Sequence, residues 1–372
     1  MRCSSKQICL SPPQDRHARP GRGGPTRSTL LLTTLIFVFF ALSSAVRPSS
    51  GGQQVPVKES STRSTEAERR DSETTAGAVR QEHGGHEAGN SFSGERAFAH
   101  VKTMVEFGPR PPGSKESVRT REYIVGELKS YGLAVTIDEF RAKTPIGERR
   151  MANVTAELPG QSPDTIIIAS HYDTKLFKEF RFVGANDGGS STGALLELAR
   201  VLAAATAKSR FTYRFVFFDG EEAFCRDWDQ CGKPNAPDNT YGSRRYVARL
   251  VEAGELKRVR GLILLDLIGY KELEFGRDSE STDWLVDIIW ETACQLGYGA
   301  VFVDREESIG GDDHLPFLRA GIPSVDIIQL NSYPHWHTRE DTLDKISPRS
   351  LKIVGDALLA ALPRIEQRML KG

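Results

Sequence analysis

The chain has 372 residues, and its 49 basic and 49 acidic side chains cancel to a formal net charge of zero. That balance gives no general electrostatic case for nucleic acid or an anionic surface as partner. The length suits one large α/β domain with tails, or two ordinary domains. An apolar content of 39 % is low for a fully globular chain, so part of the sequence carries no core.

Residues 30–45, LLLTTLIFVFFALSSA, form an uncharged apolar run preceded by Arg2, Lys6, Arg16, Arg19, Arg22 and Arg27. The run is shorter than the roughly 20 residues a membrane span needs. Ser43 and Ala45 fit a signal-peptidase site, and the basic N-terminal flank predicts export of the chain beyond the run. Residues 1–45 are therefore expected to be a cleaved signal peptide, or an uncleaved anchor attaching the protein to a membrane. Residues 46–92 are dominated by Ser, Gly, Glu, Arg, Thr and Gln and are expected to form a disordered linker. The folded domain is expected over 93–372. Cys3 and Cys9 precede the apolar run, and Cys294 falls in a helical-looking stretch. Cys225 and Cys231, six apart in a polar loop, are either two free thiols or, in an oxidising compartment, a disulfide. No second Cys or His pair accompanies them, which argues against a metal site there.

Within the domain, SGERAFAHVKTMVEFG has helical spacing and stops at Gly108-Pro109. GPRPPGS comes next as a turn-rich loop, and residues 115–131 read as a second amphipathic helix. LAVTIDEF and MANVTAEL read as strands. TIIIASHYD is a buried-type strand running into a polar tip, and GGSSTGALLELARVLAAA turns helical after its glycines. YRFVFFDGEE, GLILLDLIGY and IPSVDIIQL repeat the apolar strand, the first two ending in acids. This alternation predicts an α/β domain with an open, mostly parallel twisted central sheet flanked by helices. In such sheets ligands bind beyond the carboxyl ends of the strands.

The polar residues at those ends are His171, Asp173, Asp187, Glu221, Glu222, Asp266, Asp312 to His314 and His337. Singly each has a plain reading: a solvated Glu-Glu turn, a structural histidine, a helix-capping aspartate. Together, two imidazoles and several carboxylates at one edge offer the ligand set that Zn²⁺ accepts in catalytic sites. Glu221-Glu222 lets one acid hold metal while its neighbour moves protons, provided the chain turns there.

The blocks SHYDTK, VGANDGGSSTGALLELAR, FFDGEEAF with YGSR, LLDLIG, DDHLPFLRAGIP and WHTREDTLDKIS resemble the M28-type zinc peptidase superfamily and, more closely, its glutaminyl cyclase branch. GPRPPGS fits the same pattern. The resemblance implies Asp187, Glu222 and His337 as zinc ligands and Glu221 as the proton-transferring acid. It implies Asp266 and Asp312 as members of the acidic network around Glu221, and Trp336 as a pocket wall. Trp228 and Tyr333 are expected to add to that wall. The implied activity is cyclisation of N-terminal glutamine on peptides or proteins, with one zinc and release of ammonia. A dizinc aminopeptidase needs the same residues, with His171 and Asp266 holding the second metal. A third reading is a non-catalytic peptidase-like ectodomain, although no ligand is missing. The chain departs from the cyclase pattern at Asp326, where that branch usually has a pocket histidine.

Overall fold

The computed structural model describes residues 91–371. The apolar run at 30–45 and nearly all of the expected linker lie outside the described residues. Helices α1 (Gly94–Phe107) and α2 (Lys115–Ser130) come first, followed by strands β1 (Ala134–Thr144), β2 (Gly147–Leu158) and β3 (Thr165–His171). Next come α3 (Gly189–Ala203), β4 (Thr212–Phe218), a small hairpin of β5 (Gly232–Lys233) and β6 (Ala236–Pro237), α4 (Tyr241–Glu252) and β7 (Val259–Asp266). The rest is β8 (Phe275–Asp278), α5 (Asp283–Gln295), β9 (Phe302–Glu307), α6 (Leu315–Arg319), β10 (Ser324–Ile328) and α7 (Pro348–Lys371). Both opening helices are capped as their sequences predict: Ser93 accepts from the Arg96 amide and Ser114 from the Ser117 amide.

The main sheet has the order β1-β2-β4-β3-β7-β10. Strands β4, β3, β7 and β10 run parallel, while β1 and β2 add an antiparallel edge. The expected mostly parallel α/β sheet is what the chain forms. Successive strand side chains point to opposite faces, and both faces here are covered. Ile166, Ile168, Phe215, Phe217, Ile263 and Leu265 join the core on the side of α1, α3, α5 and α7. Ile167, Ala169, Val216, Phe218, Leu262 and Leu264 meet Tyr246, Leu250 and Phe317 of α4 and α6 on the other. Burial on both faces explains why these strands read as continuous apolar runs instead of alternating ones.

From β3 the chain passes through α3 to β4 on one side, whereas β7 is followed at the sheet's other edge by β10. The crevice of such a sheet opens where the winding direction reverses, which here is between the ends of β3 and β7. His171 and Asp266 are the last residues of those two strands.

One boundary shifts. Phe92, which its polar neighbours place with the linker, is 2 % exposed and belongs to the core. Its ring lies so close to Gly355 of α7 that a Cβ there would come within 2.3 Å of it. No helix among the described residues is long and apolar enough to cross a membrane.

Candidate active site

Strand β4 ends at Phe218, and Gly220, at φ +78°, turns the chain so that Glu221 and Glu222 leave extended geometry. Asp173, just beyond β3, straps that turn. Its two oxygens accept from the Glu221 amide at 3.1 Å and the Glu222 amide at 3.3 Å. Both glutamates are thereby held in the crevice, as the paired-acid reading requires. Asp187 arrives from the start of α3. Gly188 succeeds it at φ +67°, and a Cβ there would stand 2.8 Å from both the His171 ring and the Asp173 carbonyl. Only glycine lets the loop carrying Asp187 pass that close. Three non-glycine residues among those described have left-handed backbones, Thr240, Leu267 and His337. All three sit at this edge; such strain persists where surrounding structure over-determines the chain.

Asp187, Glu222 and His337 converge. His337 Nε2 is 3.4 Å from Asp187 Oδ2 and 3.2 Å from Glu222 Oε2. A ligand atom from each lies within 4.8 Å of the others. Asp187 Oδ2 and Glu222 Oε2 are buried without a hydrogen-bond partner. Orphaned buried carboxylate oxygens facing an imidazole nitrogen are what a cation site leaves to be filled. Burial alone would lower the His337 pKa, but Glu222 and Asp187 outweigh it and push it up to about 9. A bound cation would replace that proton. Asp187 is held below the usual carboxylate range by the two histidines despite its burial.

His171, Asp187 and Asp266 form a second potential group sharing Asp187. Here the imidazole already serves the acids: His171 Nε2 is 3.1 Å from Asp266 Oδ1 and 3.4 Å from Asp187 Oδ1. Burial opposes its protonation, yet Asp266 and Glu221 raise its pKa well above the ordinary value. Glu221 Oε2 is 3.8 Å from His171 Nδ1. Burial first, partly offset by His171 and reinforced by Asp312 and Glu222, raises the Glu221 carboxyl well above the carboxylate range. Burial and Asp266 push Asp312 up to about 6.

A cavity of about 180 Å³ collects Asp187, Glu221, Glu222, Asp266, Asp312 and His337. Trp228 and Trp336 wall it, and Trp336 stacks on His337 with ring centroids 4.0 Å apart. Polar residues at or beyond the ends of β3, β4 and β7 are thus brought to one crevice whose walls are partly aromatic.

A family model, Peptidase family M28, matches residues 153–362. The chain is 30 % identical over 261 residues to a glutaminyl-peptide cyclotransferase of Drosophila melanogaster, covering 64 % of this chain and 72 % of that one. Among solved structures it is similar to a glutaminyl cyclase from an Acidobacteriales bacterium, with a TM-score of 0.69 and 34 % identity, covering 78 % of this chain and all of that one. A Porphyromonas gingivalis glutaminyl cyclase gives a TM-score of 0.67 and 31 % identity, with 73 % and 98 % covered. The chain belongs to peptidase family M28, in its glutaminyl cyclase branch.

Not every expected residue of this M28 site lines it. Tyr333 is 4 % exposed and is not part of the cavity wall. Its hydroxyl donates to Asp341 Oδ1 at 2.7 Å, so the aromatic ring supports the site from behind. Asp341, to which no local motif assigns a role, accepts from the Asn186 amide at 2.8 Å and the Asp187 amide at 3.0 Å. Arg110, of the GPRPPGS loop, is fully buried and donates to the carbonyls of Tyr172, Val183, Gly184 and Asp187. Lys175 donates its amide to Glu222 Oε1. Each of these lies inside a block that carries the family resemblance, but no local spacing announces its partner. Asp326 is buried in β10 and does not line the cavity. It faces His314, whose Nδ1 is 3.5 Å from Asp326 Oδ2. Cys225 and Cys231 form a disulfide, which resolves the open alternative and leaves no thiolate to join nearby Asp238 in holding a metal.

Proposed function

We propose that the protein cyclises the N-terminal glutamine of peptides or proteins to pyroglutamate, releasing ammonia, with one Zn²⁺ held by Asp187, Glu222 and His337. The observation that carries the one-metal reading is the placement of the orphaned oxygens. Asp187 Oδ2 and Glu222 Oε2 lack partners even though His337 Nε2 meets Glu222 Oε1 at 3.3 Å, whereas in the other group Asp266 Oδ1 is already paired with His171 Nε2 and the Leu267 amide. When bound, zinc supplies a Lewis acid for the amide oxygen. The chain's own residues do the rest. Glu221 takes the proton from the α-amine as that nitrogen attacks the γ-carboxamide carbon, then passes it to the departing ammonia. Its raised pKa makes it a stronger base once ionised. His171 lies 3.1 to 3.8 Å from oxygens of Asp266, Asp187, Asp173 and Glu221, and these acids favour its protonated form against its burial. Trp228 and Trp336 wall the pocket in which the substrate's N-terminus binds.

A two-metal aminopeptidase is the second reading, favoured by the intact His171, Asp187 and Asp266 group. Incubating purified protein with a Gln-peptide and a Leu-peptide, with and without chelator, separates the two by product mass. Loss of ammonia from the Gln-peptide supports cyclisation; release of a residue from either peptide overturns it. The Cys225–Cys231 disulfide supports export to an oxidising compartment.

A further inference from the structure

The cavity that holds Glu221 adjoins two others, of about 680 Å³ and 360 Å³, and Trp228 lines all three. Trp228 sits in the middle of the loop that Cys225 and Cys231 close. Around it Arg226, Asp227, Asp229 and Gln230 are polar and largely open to solvent, while the tryptophan itself is half-buried against the clefts. The loop therefore has no core of its own. Its anchors are polar. The Cys225 amide donates to buried Asp238 at 2.8 Å, the Arg226 amide to Gln230 Oε1 at 2.9 Å, and Asn239 Nδ2 to the Trp228 carbonyl at 3.2 Å. The segment leaves directly after Glu222 and returns where the Thr240 amide donates to the Glu221 carbonyl at 2.8 Å. Its root is thus the catalytic pair, and its middle is the cavity wall.

We propose that the Cys225–Cys231 disulfide is a positioning element of the active site, holding Trp228 in the wall against which the substrate's N-terminus binds. A short polar loop orders at an entropic cost that few buried contacts offset here. The covalent closure restricts that freedom. Without it the indole leaves the wall, while Glu221 and Glu222 stay strapped by Asp173 and Asp187 stays held by Asp341. The defect then falls on substrate binding and spares proton transfer and metal. This rests on the cyclase reading for the identity of the substrate.

The test is Cys225→Ser combined with Cys231→Ser in the full chain, beside Trp228→Ala and the triple variant. For a Gln-peptide, KM should rise about tenfold in each, the scale of one lost apolar contact in a pocket. The kcat and zinc content should stay within about twofold. The triple variant should be no worse than Trp228→Ala, because effects that act through one side chain do not add. Amide exchange over residues 226–230 should quicken in the Cys variant and stay unchanged in the central strands. An unchanged KM, effects that multiply in the triple variant, or loss of zinc and kcat would each overturn the proposal. Should the wild-type protein turn over no Gln-peptide, the cyclase reading is what fails. The exchange comparison then still judges the disulfide, and equal rates in the loop would reject it.

Discussion

Asp341→Ala removes the acceptor of three buried hydrogen bonds: the amides of Asn186 and Asp187, and the Tyr333 hydroxyl. Each donor left unpaired costs roughly 1–3 kcal/mol, and water entering the vacated space keeps the sum near the low end, about 3 kcal/mol. That is a large part of a typical domain's stability of about 5–15 kcal/mol. The local consequence matters more for function. Asp187 loses the strap that orients its backbone, and partners behind metal ligands typically account for roughly 10–100-fold in metal affinity. Tyr333→Phe supplies the graded control. It removes one hydrogen bond, about 1 kcal/mol, and leaves both amides held. Zinc affinity by chelator competition and stability by urea unfolding, measured on both variants, give the comparison. Asp341→Ala should lose both quantities, whereas Tyr333→Phe should lose a little stability and almost no zinc affinity. If Asp341→Ala held zinc like the wild type, or if Tyr333→Phe weakened zinc equally, the strap would not orient the ligand.

Glu221→Gln keeps the shape of the side chain but cannot accept a proton, so zinc content should hold and kcat should fall roughly 10²–10⁴-fold. Asp266→Asn should slow turnover less and leave zinc stoichiometry unchanged; loss of one of two metals would favour the peptidase reading. Asp219, buried at the end of β4 and close to Asp173, has its carboxyl pushed up to about 8 from an ordinary 3.8. A folded pKa above the unfolded one means the native state binds the extra proton, so this contribution is complete below the unfolded pKa and lost as pH rises through about 8. Relative to Asp219→Asn, the wild type should therefore lose stability between about pH 5 and about pH 9, and parallel urea midpoints across that range would contradict the assignment. Phe92→Ala should cost about 3–5 kcal/mol by opening a cavity against α7. A chain beginning at Ser91 should fold and turn over substrate like the full one, and equal urea midpoints for Phe92→Ala and wild type would show that the ring contributes nothing.

Local pattern alone determined the class of this fold and pointed to part of the candidate site. Strands buried on both faces need uninterrupted apolar runs, and parallel strands deliver their last residues to one edge, so Ile166–Ile168, Phe215–Phe218 and Leu262–Leu265 announced the sheet. His171, Glu221, Glu222 and Asp266 were legible for the same reason, as polar residues at or just past the ends of such runs. What packing alone decided was which distant group each polar atom meets. Asp341 stands 155 residues from the Asn186 amide it holds. Tyr333 sits three residues from Trp336, yet its ring faces the back of the site while Trp336 lines the front. Phe92 looked like the last residue of a polar linker because the groove that receives it is made by Gly355, far along the chain. A residue's own burial leaves a trace in its neighbours' periodicity. The identity of a long-range hydrogen-bond partner leaves none, because it is set by the three-dimensional closure of loops whose sequence spacing is arbitrary.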